Sequence, residues 1–279
     1  MKPTLFGKSK ENDNPIGCET TVRIENDPMH KTEYAQSSHI GTREYQQDTT
    51  RAGRGKAGVL FGVLCDGMGG LEDGEAASRM AAEDFAQALS EADPDGDIPL
   101  LLNDLAHKVN ALVFNLPSQT GQSGVSGTTI TAAMITGDRL FWISAGDSRI
   151  YIIRKKEIVS VTRDHSYSLE LDELVRQGRL EPEKAAEDPR RNALISYLGL
   201  ERLEILDYNS KAFILEAGDI VLLCSDGLYR SLDDSEILDI MERHSDNIEE
   251  CARVLPIYAF DRAQGNQDNT SVILLKYNF

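Results

Sequence analysis

Aspartates stand at the ends of several strongly apolar segments of this 279-residue chain. Asp66 follows the run VLFGVLC, and Asp226 follows DIVLLCS. Asp268 precedes TSVILL, Asp48 precedes the first of these runs, and Asp147 lies in the short segment SAGDSR between two further runs. A single Asp-Gly after a strand is usually a turn, because both residues favour turns. Several at once raise a second possibility, that the strand ends bring the carboxylates together.

Clustered carboxylates repel one another unless a cation neutralises them. Oxygen ligands without a group of Cys or His select Mg²⁺ or Mn²⁺. Gly67, Gly69 and Gly70 would let the main chain approach a ligand closely, and the Gly67 carbonyl could itself ligate a metal. Spacing alone leaves both interpretations open, separate turns or one metal cluster.

Arg43 stands five residues before Asp48. The planar guanidinium matches the oxygens of a phosphate group, so an Arg beside a metal site is suited to hold a substrate phosphate. The alternative from the sequence alone is an ordinary surface arginine.

The elements that must position these residues come in blocks. Hydrophobic periodicity predicts a strand at 59–65, helices at 75–92 and 100–114, strands at 128–136, 139–145, 149–154 and 158–162, a helix at 168–177, strands at 212–215 and 219–224, helices at 233–244 and 247–263, and a strand at 270–276. The short connections among the second group of strands predict an antiparallel meander. Blocks of helices and strands predict an α+β sandwich and not a doubly wound parallel sheet. Residues 1–36 are polar and are expected to form a loose extension with one short strand at 21–24.

Composition excludes some function classes. Hydrophobic residues make up 41% of the chain and the formal net charge is −17, so the field disfavours nucleic acid and anionic membranes as partners. No apolar stretch approaches the ~20 residues of a membrane-spanning helix, and the first residues lack a signal-peptide core, so a cytoplasmic location is expected. Cys18, Cys65, Cys224 and Cys251 are dispersed and are predicted to be reduced thiols.

Taken together, the motifs resemble one family. GTREYQQD, VLCDGMGG, SGTT, ISAGDSRIYIIR, TRDHS, LLCSDGLY and QDNTSVILL occur in the order typical of the metal-dependent Ser/Thr protein phosphatases, the PPM or type 2C family. The resemblance covers residues 37–279 and implies one catalytic domain. Its fold would be a four-layer α/β/β/α sandwich of two antiparallel β-sheets packed face to face and flanked by helices. Residues 166–196 resemble the flap segment of the bacterial branch.

The resemblance also implies a binuclear Mn²⁺ or Mg²⁺ centre with a possible third, weaker ion. A water bridging the two core ions would attack the phosphorus, with no covalent phosphoenzyme. The implied roles are Asp66 as bridging ligand, Gly67 as carbonyl ligand, Asp226 and Asp268 as ligands of one ion, Asp48 as holder of metal-bound water, Asp147 with Asp226 at the third ion, and Arg43 on the substrate phosphate.

Two residues depart from the family pattern. Gln47 stands where a Glu is more usual, which predicts a weakened metal site. Met68 stands where the eukaryotic branch has a His proposed as general acid; Met resembles the bacterial branch and leaves the acid unnamed. His165 in TRDHS is interpreted as a structural residue that orders the loop into the flap.

Three functions are weighed. The first is a phosphoserine/phosphothreonine protein phosphatase, for which the family implies phosphoprotein substrates and a cognate Ser/Thr kinase as partner. The second is a catalytically weak or silent module that binds phosphoproteins, favoured by Gln47 alone. The third is a two-metal hydrolase of small phosphate esters, which the flap disfavours. The sequence indicates neither the oligomeric state nor the role of residues 1–36.

Overall fold

The structure, a computed structural model, describes residues 32–69, 73–117, 124, 126–263 and 265–278, together with the backbone of 18–21. The strands of this described part are β1 (Cys18–Thr21), β2 (Thr32–His39), β3 (Asp48–Arg54), β4 (Leu60–Met68), β5 (Gly127–Thr128), β6 (Ile130–Thr136), β7 (Arg139–Ala145), β8 (Arg149–Arg154), β9 (Glu157–Ser160), β10 (Asp207–Tyr208), β11 (Phe213–Ile214), β12 (Ile220–Cys224) and β13 (Thr270–Tyr277). Its helices are α1 (Asp73–Glu91), α2 (Ile98–Phe114), α3 (Ser168–Arg176), α4 (Pro182–Ala186), α5 (Asp226–Tyr229), α6 (Asp234–Arg243) and α7 (Ile248–Arg262).

The strands form two antiparallel sheets. One has the order β1-β2-β13-β12-β8-β9. The other has the order β10-β7-β6-β4-β3, with β11 also paired to β7 and β5 to β4. The predicted α+β sandwich of two antiparallel sheets flanked by helices is therefore confirmed.

Side-chain alternation explains the four layers. On β12, Val221 and Leu223 belong to the core between the sheets, whereas Leu222 and Cys224 pack in the cluster beneath α6 and α7. On β4, Leu64 faces the other sheet and Cys65 faces α1 and α2. Successive side chains of a strand point to opposite faces, and both faces are covered here. Because both faces are covered, the strand segments are continuous runs of apolar residues in the sequence.

The four-stranded meander predicted for residues 128–162 is wrong. β6 pairs with β7 and β8 pairs with β9, but β7 and β8 lie in different sheets. The chain passes from one sheet to the other at Gly146, whose φ of +114° is open to glycine and strained for other residues. A short loop is compatible with either a hairpin or such a crossing, so loop length alone misled the prediction.

The N-terminal region also differs from the expectation. β2 spans the boundary predicted after residue 36 and lies inside its sheet between β1 and β13. Residues on both sides of that boundary therefore belong to the sheet, and β1 pairs with β2 in it. The short strand expected at 21–24 falls mostly outside the described residues, while β1 covers Cys18–Thr21.

Three of the four cysteines lie within the described side chains. Cys65, Cys224 and Cys251 are free and buried, as predicted for reduced thiols. Burial raises the pKa of Cys251 to about 11 and raises the thiol pKa of Cys65 and Cys224 further. Among the described helices, none combines the length and the apolarity that a membrane-spanning helix needs.

Candidate metal centre

Two aspartates face each other across the β3–β4 pair. In the antiparallel register Asp48 lies opposite Asp66. β4 continues to Met68, so Asp66 lies within the strand, and the prediction that the strand stops at Cys65 is wrong. The Asp66 backbone N–H donates to Thr129 Oγ1 at 2.9 Å, and the Asp66 carbonyl accepts from the Thr129 N–H at 2.8 Å. Asp66 is thus fixed by its neighbouring strands on both sides.

A second pair of aspartates comes from the β12–β13 pair in the other sheet. Asp226 opens α5 just after β12, and Asp268 lies just before β13. Because the two strands are antiparallel, the end of one lies beside the start of the other, with Cys224 opposite Val272. Sheet pairing therefore brings together two carboxylates that are far apart in sequence.

Asp147 joins them through the crossing between the sheets. It directly follows Gly146, where a Cβ would come within 2.5 Å of the Thr129 side chain. The close approach of the two segments keeps Asp147 at the same end of the sandwich, where it is buried. The His165 Nδ1 accepts from the Gly146 N–H at 3.3 Å, and His165 itself is fully buried, in keeping with a structural role.

One cavity of about 540 Å³ collects most of the predicted residues. Asp48, opposite Asp66 in the β3–β4 pair, lines a neighbouring polar cavity of about 280 Å³. Residues lining the larger cavity include Arg43, Gln47, Asp66, Gly67, Asp147, Asp226 and Asp268. Of the predicted site residues, all but Asp48 line this cavity, and Asp48 is the register partner of Asp66, which does. Gly70 lies outside the described residues.

The carboxyl groups are hard to ionise where they lie. Burial raises the pKa of Asp48 to about 6, and hydrogen bonds from Ser225 and Ser271 partly oppose it. Burial also raises the pKa of Asp226 to about 7, against the nearby Arg230. The pKa of Asp66 lies well above its usual value because of burial and then of the neighbouring carboxylates, Asp48 first. Such a cluster gains a great deal from a bound cation.

The hydrogen bonding fits a cation as well. Asp48 Oδ2 accepts from Ser225 Oγ at 2.8 Å, but Asp48 Oδ1 and Asp226 Oδ1 are buried without a hydrogen-bond partner in the described part of the chain. Buried unpaired carboxylate oxygens are costly, and a metal ion satisfies them. The donor set, carboxylates and backbone carbonyls, suits Mn²⁺ or Mg²⁺.

Two arginines engage three of the carboxylates. Arg43 Nη2 donates to Asp268 Oδ2 at 2.6 Å. Arg230 Nη2 lies 3.0 Å from both Asp147 Oδ2 and Asp226 Oδ2. Among the described residues, no group of three or more His, Cys, Asp or Glu side chains is arranged around one ion position while these ion pairs are formed.

The profile of the family described as Protein phosphatase 2C matches residues 35–257. The chain belongs to this family. The assignment made from the sequence motifs is thereby confirmed.

The relatives of this 2C-family chain are bacterial phosphatases by name. It is 31% identical to the protein phosphatase PhpP of Streptococcus pneumoniae over 239 residues, 85% of this chain and 93% of PhpP. It is 34% identical to the serine/threonine protein phosphatase PstP of Mycobacterium tuberculosis over 187 residues, 67% of this chain but only 35% of PstP. These names agree with the predicted enzyme class, a hydrolase of phosphoproteins.

Solved structures of 2C-family phosphatases share the fold. The serine/threonine phosphatase of S. agalactiae superposes with a TM-score of 0.77 at 30% identity, covering 88% of this chain and 100% of that one. The catalytic domain of PstP in complex with two manganese ions superposes with a TM-score of 0.72 at 30% identity, covering 89% and 99%.

Position 47 of this 2C-family chain lies at the cavity wall. The Gln47 N–H donates to Asn269 Oδ1 at 2.8 Å, and the Gln47 carbonyl accepts from the Gly67 N–H at 3.0 Å.

Gly67 itself lies close to the start of α1. A Cβ on Gly67 would come within 2.1 Å of the Gly74 carbonyl oxygen. Only glycine permits this approach of β4 to the start of α1.

Some residues that support the site were missed from the sequence. Asn269 holds the loop 40–47 through Nδ2 hydrogen bonds to the carbonyls of Ile40 and Tyr45, at 2.8 and 3.1 Å. The Ser225 hydroxyl donates a hydrogen bond to Asp48 Oδ2 and accepts one from the Ser271 N–H at 2.9 Å. Asn269, Ser225 and Arg230 all lie within a few residues of a motif aspartate, which is the only signal the sequence carries for them.

The segment predicted as a flap borders the cavity. Its two ends are joined by an isolated bridge between Ser166 and Leu194 and by a hydrogen bond from the Tyr167 N–H to the Ala193 carbonyl at 2.8 Å. Asn192 and Leu194 line the cavity, and the segment also contains α3 and α4.

Proposed function

We propose that the chain is a protein serine/threonine phosphatase that hydrolyses phosphoserine and phosphothreonine with two divalent ions, Mn²⁺ or Mg²⁺. The observation that carries the proposal is the grouping of five aspartates at one end of the sandwich. Asp66, Asp147, Asp226 and Asp268 line one cavity, Asp48 lies opposite Asp66 in the β3–β4 pair, and Asp48 and Asp226 each have a buried oxygen without a hydrogen-bond partner in the described part of the chain. A pair of divalent ions supplies positive charge for the phosphoryl oxygens and lowers the pKa of water to near neutral.

The chain's own residues would divide the work among them. Asp66 lines the cavity together with aspartates of the other sheet, so it would bind both ions, with the Gly67 carbonyl beside it. Asp226 and Asp268 would hold one ion from the other sheet. Asp48, the register partner of Asp66, would accept a hydrogen bond from water and so orient it.

Arg43 is suited to hold the substrate phosphate. It lies on the loop 40–47 with 57% of its side chain exposed, and its recorded ion pair uses a single nitrogen, Nη2. The remaining N–H groups form a planar fork that can donate to two phosphate oxygens at once. Held there, the guanidinium would stabilise charge that develops on those oxygens during the reaction.

Protein substrates fit the surroundings better than small esters. Asn192 and Leu194 of the predicted flap segment line the cavity, and the same segment carries α3 and α4. A surface of that extent can contact residues on either side of a phosphorylated Ser or Thr. A cognate Ser/Thr kinase would supply such substrates, and free buried thiols support a reducing, cytoplasmic setting.

A silent phosphoprotein-binding module is the second candidate. Gln47, at the cavity wall, is the single observation in its favour, because an amide is a poorer metal ligand than a carboxylate. The intact aspartates oppose it, since a module that only binds phosphate has no need of buried carboxylates that repel it.

The test is hydrolysis by the purified full chain in Mn²⁺, in Mg²⁺ and in EDTA. A phosphothreonine peptide and a nucleoside triphosphate are offered in parallel. Hydrolysis of the peptide with metal and not in EDTA is expected, with much slower turnover of the nucleotide. Preference for the nucleotide would support the small-ester hydrolase. Peptide binding without turnover at millimolar Mn²⁺ would support the silent module.

A further inference from the structure

One arginine occupies the corner of the cavity formed by Asp147 and Asp226. Arg230 Nη2 lies 3.0 Å from Asp147 Oδ2 and 3.0 Å from Asp226 Oδ2, so one guanidinium bridges a carboxylate of the crossing between the sheets and the carboxylate that follows β12. Both aspartates are buried. A buried carboxylate pair needs a positive charge nearby, and here the chain provides it.

The neighbours of Arg230 fix its position. Tyr229 OH donates to the Asp147 carbonyl at 2.9 Å. The Arg149 guanidinium lies 3.6 Å from the Tyr229 ring centre, and Arg149 donates to both Asp164 oxygens at 2.8 Å. The segment that carries Arg230 is therefore tied to the same turn that carries Asp147.

Arg43 is placed differently. It lies on a loop and contacts one oxygen of a single carboxylate, Asp268. Arg230 contacts two carboxylates and follows a helical turn whose start is Asp226 itself, with the Arg230 N–H donating to the Asp226 carbonyl at 3.0 Å. Arg43 can leave its partner to meet a phosphate, whereas Arg230 is built into the corner.

The two carboxylate oxygens of Asp226 have different surroundings. Oδ2 accepts from Arg230, while Oδ1 has no hydrogen-bond partner among the described residues. Oδ1 is thus available for an ion in the main cavity. An additional divalent ion between Asp147 and Asp226 would compete for Oδ2 and would lie against a fixed positive charge.

We propose that the Arg230 guanidinium is the built-in cation of the Asp147–Asp226 corner, so the third, weaker ion implied by the family resemblance does not bind there. The residues do not fit that ion, although they fit the two core ions. The inference rests on the proposed function only for the identity of those core ions.

The test counts Mn²⁺ bound per chain on metal-stripped full-length protein, from the free Mn²⁺ signal in electron paramagnetic resonance up to millimolar concentration. The variants are Arg230→Ala and Arg230→Gln, with Arg230→Lys as the charge-retaining variant and the exposed Arg163→Ala as matched control. Thermal unfolding checks that each is folded, and Arg230→Gln keeps the side-chain bulk if Arg230→Ala does not fold.

Removal of the charge is expected to add one bound ion relative to the wild type. Asp147→Asn in the same background should remove it, and Arg230→Lys and Arg163→Ala should match the wild type. An unchanged count in both neutral variants, or loss of one ion from the wild type by Asp147→Asn alone, would overturn the inference. So would a raised KM for phosphopeptide with an unchanged count, which would place Arg230 on the substrate. The difference between variants tests Arg230, and the absolute wild-type count tests the core ions.

Discussion

Asp48 and Asp66 are direct partners in the register of β3 and β4, and Asp48 is the first of the neighbouring carboxylates that raise the pKa of Asp66. Two neighbouring carboxyl groups do not both ionise readily, because each negative charge disfavours the other. The metal-free site therefore stores protons that a cation would displace. At this pair, protonation stabilises the metal-free fold, whereas ionisation favours metal binding.

Asp66→Asn is expected to stabilise the metal-free protein at pH 8 while abolishing metal-dependent hydrolysis. The amide removes a carboxylate whose pKa is raised by burial and by its neighbours. The measurement is the thermal unfolding midpoint in EDTA, where each kcal/mol gained raises Tm by about 2–4 °C for a domain of this size. A lower midpoint, with Asp138→Asn as exposed control, would contradict the account of a repulsive cluster.

The stability of the metal-free protein should fall as the pH rises from about 4 to about 7. The pKa of Asp48 is raised to about 6 and that of Asp226 to about 7, so the folded state holds protons that the unfolded chain has already released. Each unit of pH in this window therefore costs stability, and the loss ends above the folded pKa.

The effect of Asp226 is isolated by comparing wild type with Asp226→Asn in EDTA at each pH. Charged groups facing Asp226 are Arg230, Asp147, Asp268 and Asp48. The gap in unfolding free energy should widen by an amount on the order of a few kcal/mol up to about pH 7 and then stay level. A gap independent of pH would show that Asp226 titrates normally. In saturating Mn²⁺ the stability of the wild type should instead rise with pH over this range, because the ions bind the ionised carboxylates.

Arg43→Ala should lower kcat/KM for a phosphothreonine peptide by roughly 10- to 150-fold, the equivalent of about 1.5–3 kcal/mol for hydrogen bonds to a charged group. Arg43→Lys should keep part of the activity, since it retains charge without the planar fork. Mn²⁺ affinity should not weaken in either variant, because the substitution frees Asp268. Unchanged kcat/KM in Arg43→Ala would remove Arg43 from the phosphate.

Gln47→Glu should lower the Mn²⁺ concentration for half-maximal activity by roughly tenfold, the scale of changes around metal ligands. The substitution adds a carboxylate at the cavity wall without changing side-chain length. Gln87→Glu on the exposed face of α1 is the matched control for the added charge. Equal Mn²⁺ dependence in the wild type and in Gln47→Glu would mean that position 47 does not weaken the site.

The sequence was informative where local pattern decides structure. β8 and β7 have the predicted bounds because each is an apolar run between short polar turns. The aspartates could be named because strand ends are visible as abrupt changes from apolar to polar residues. Their grouping depended on the family resemblance, since pairing between distant strands leaves no trace in local spacing.

What the sequence did not reveal depends on tertiary contacts. The crossing at Gly146 resembles a hairpin in sequence, and only sheet packing distinguishes the two. For the same reason, the only sequence signal for Arg230 was its nearness to Asp226. One of its partners, Asp226, lies one helical turn away, but the other, Asp147, reaches it only after that crossing.

The most direct measurement is the rate of phosphothreonine-peptide hydrolysis in millimolar Mn²⁺ by wild type, Asp226→Asn and Asp138→Asn, each shown to be folded. The account predicts activity in the wild type and in Asp138→Asn that EDTA abolishes, and a loss of roughly a hundredfold or more in Asp226→Asn. Equal rates in all three proteins, or a wild-type rate that EDTA leaves unchanged, would contradict a metal centre built on the clustered aspartates.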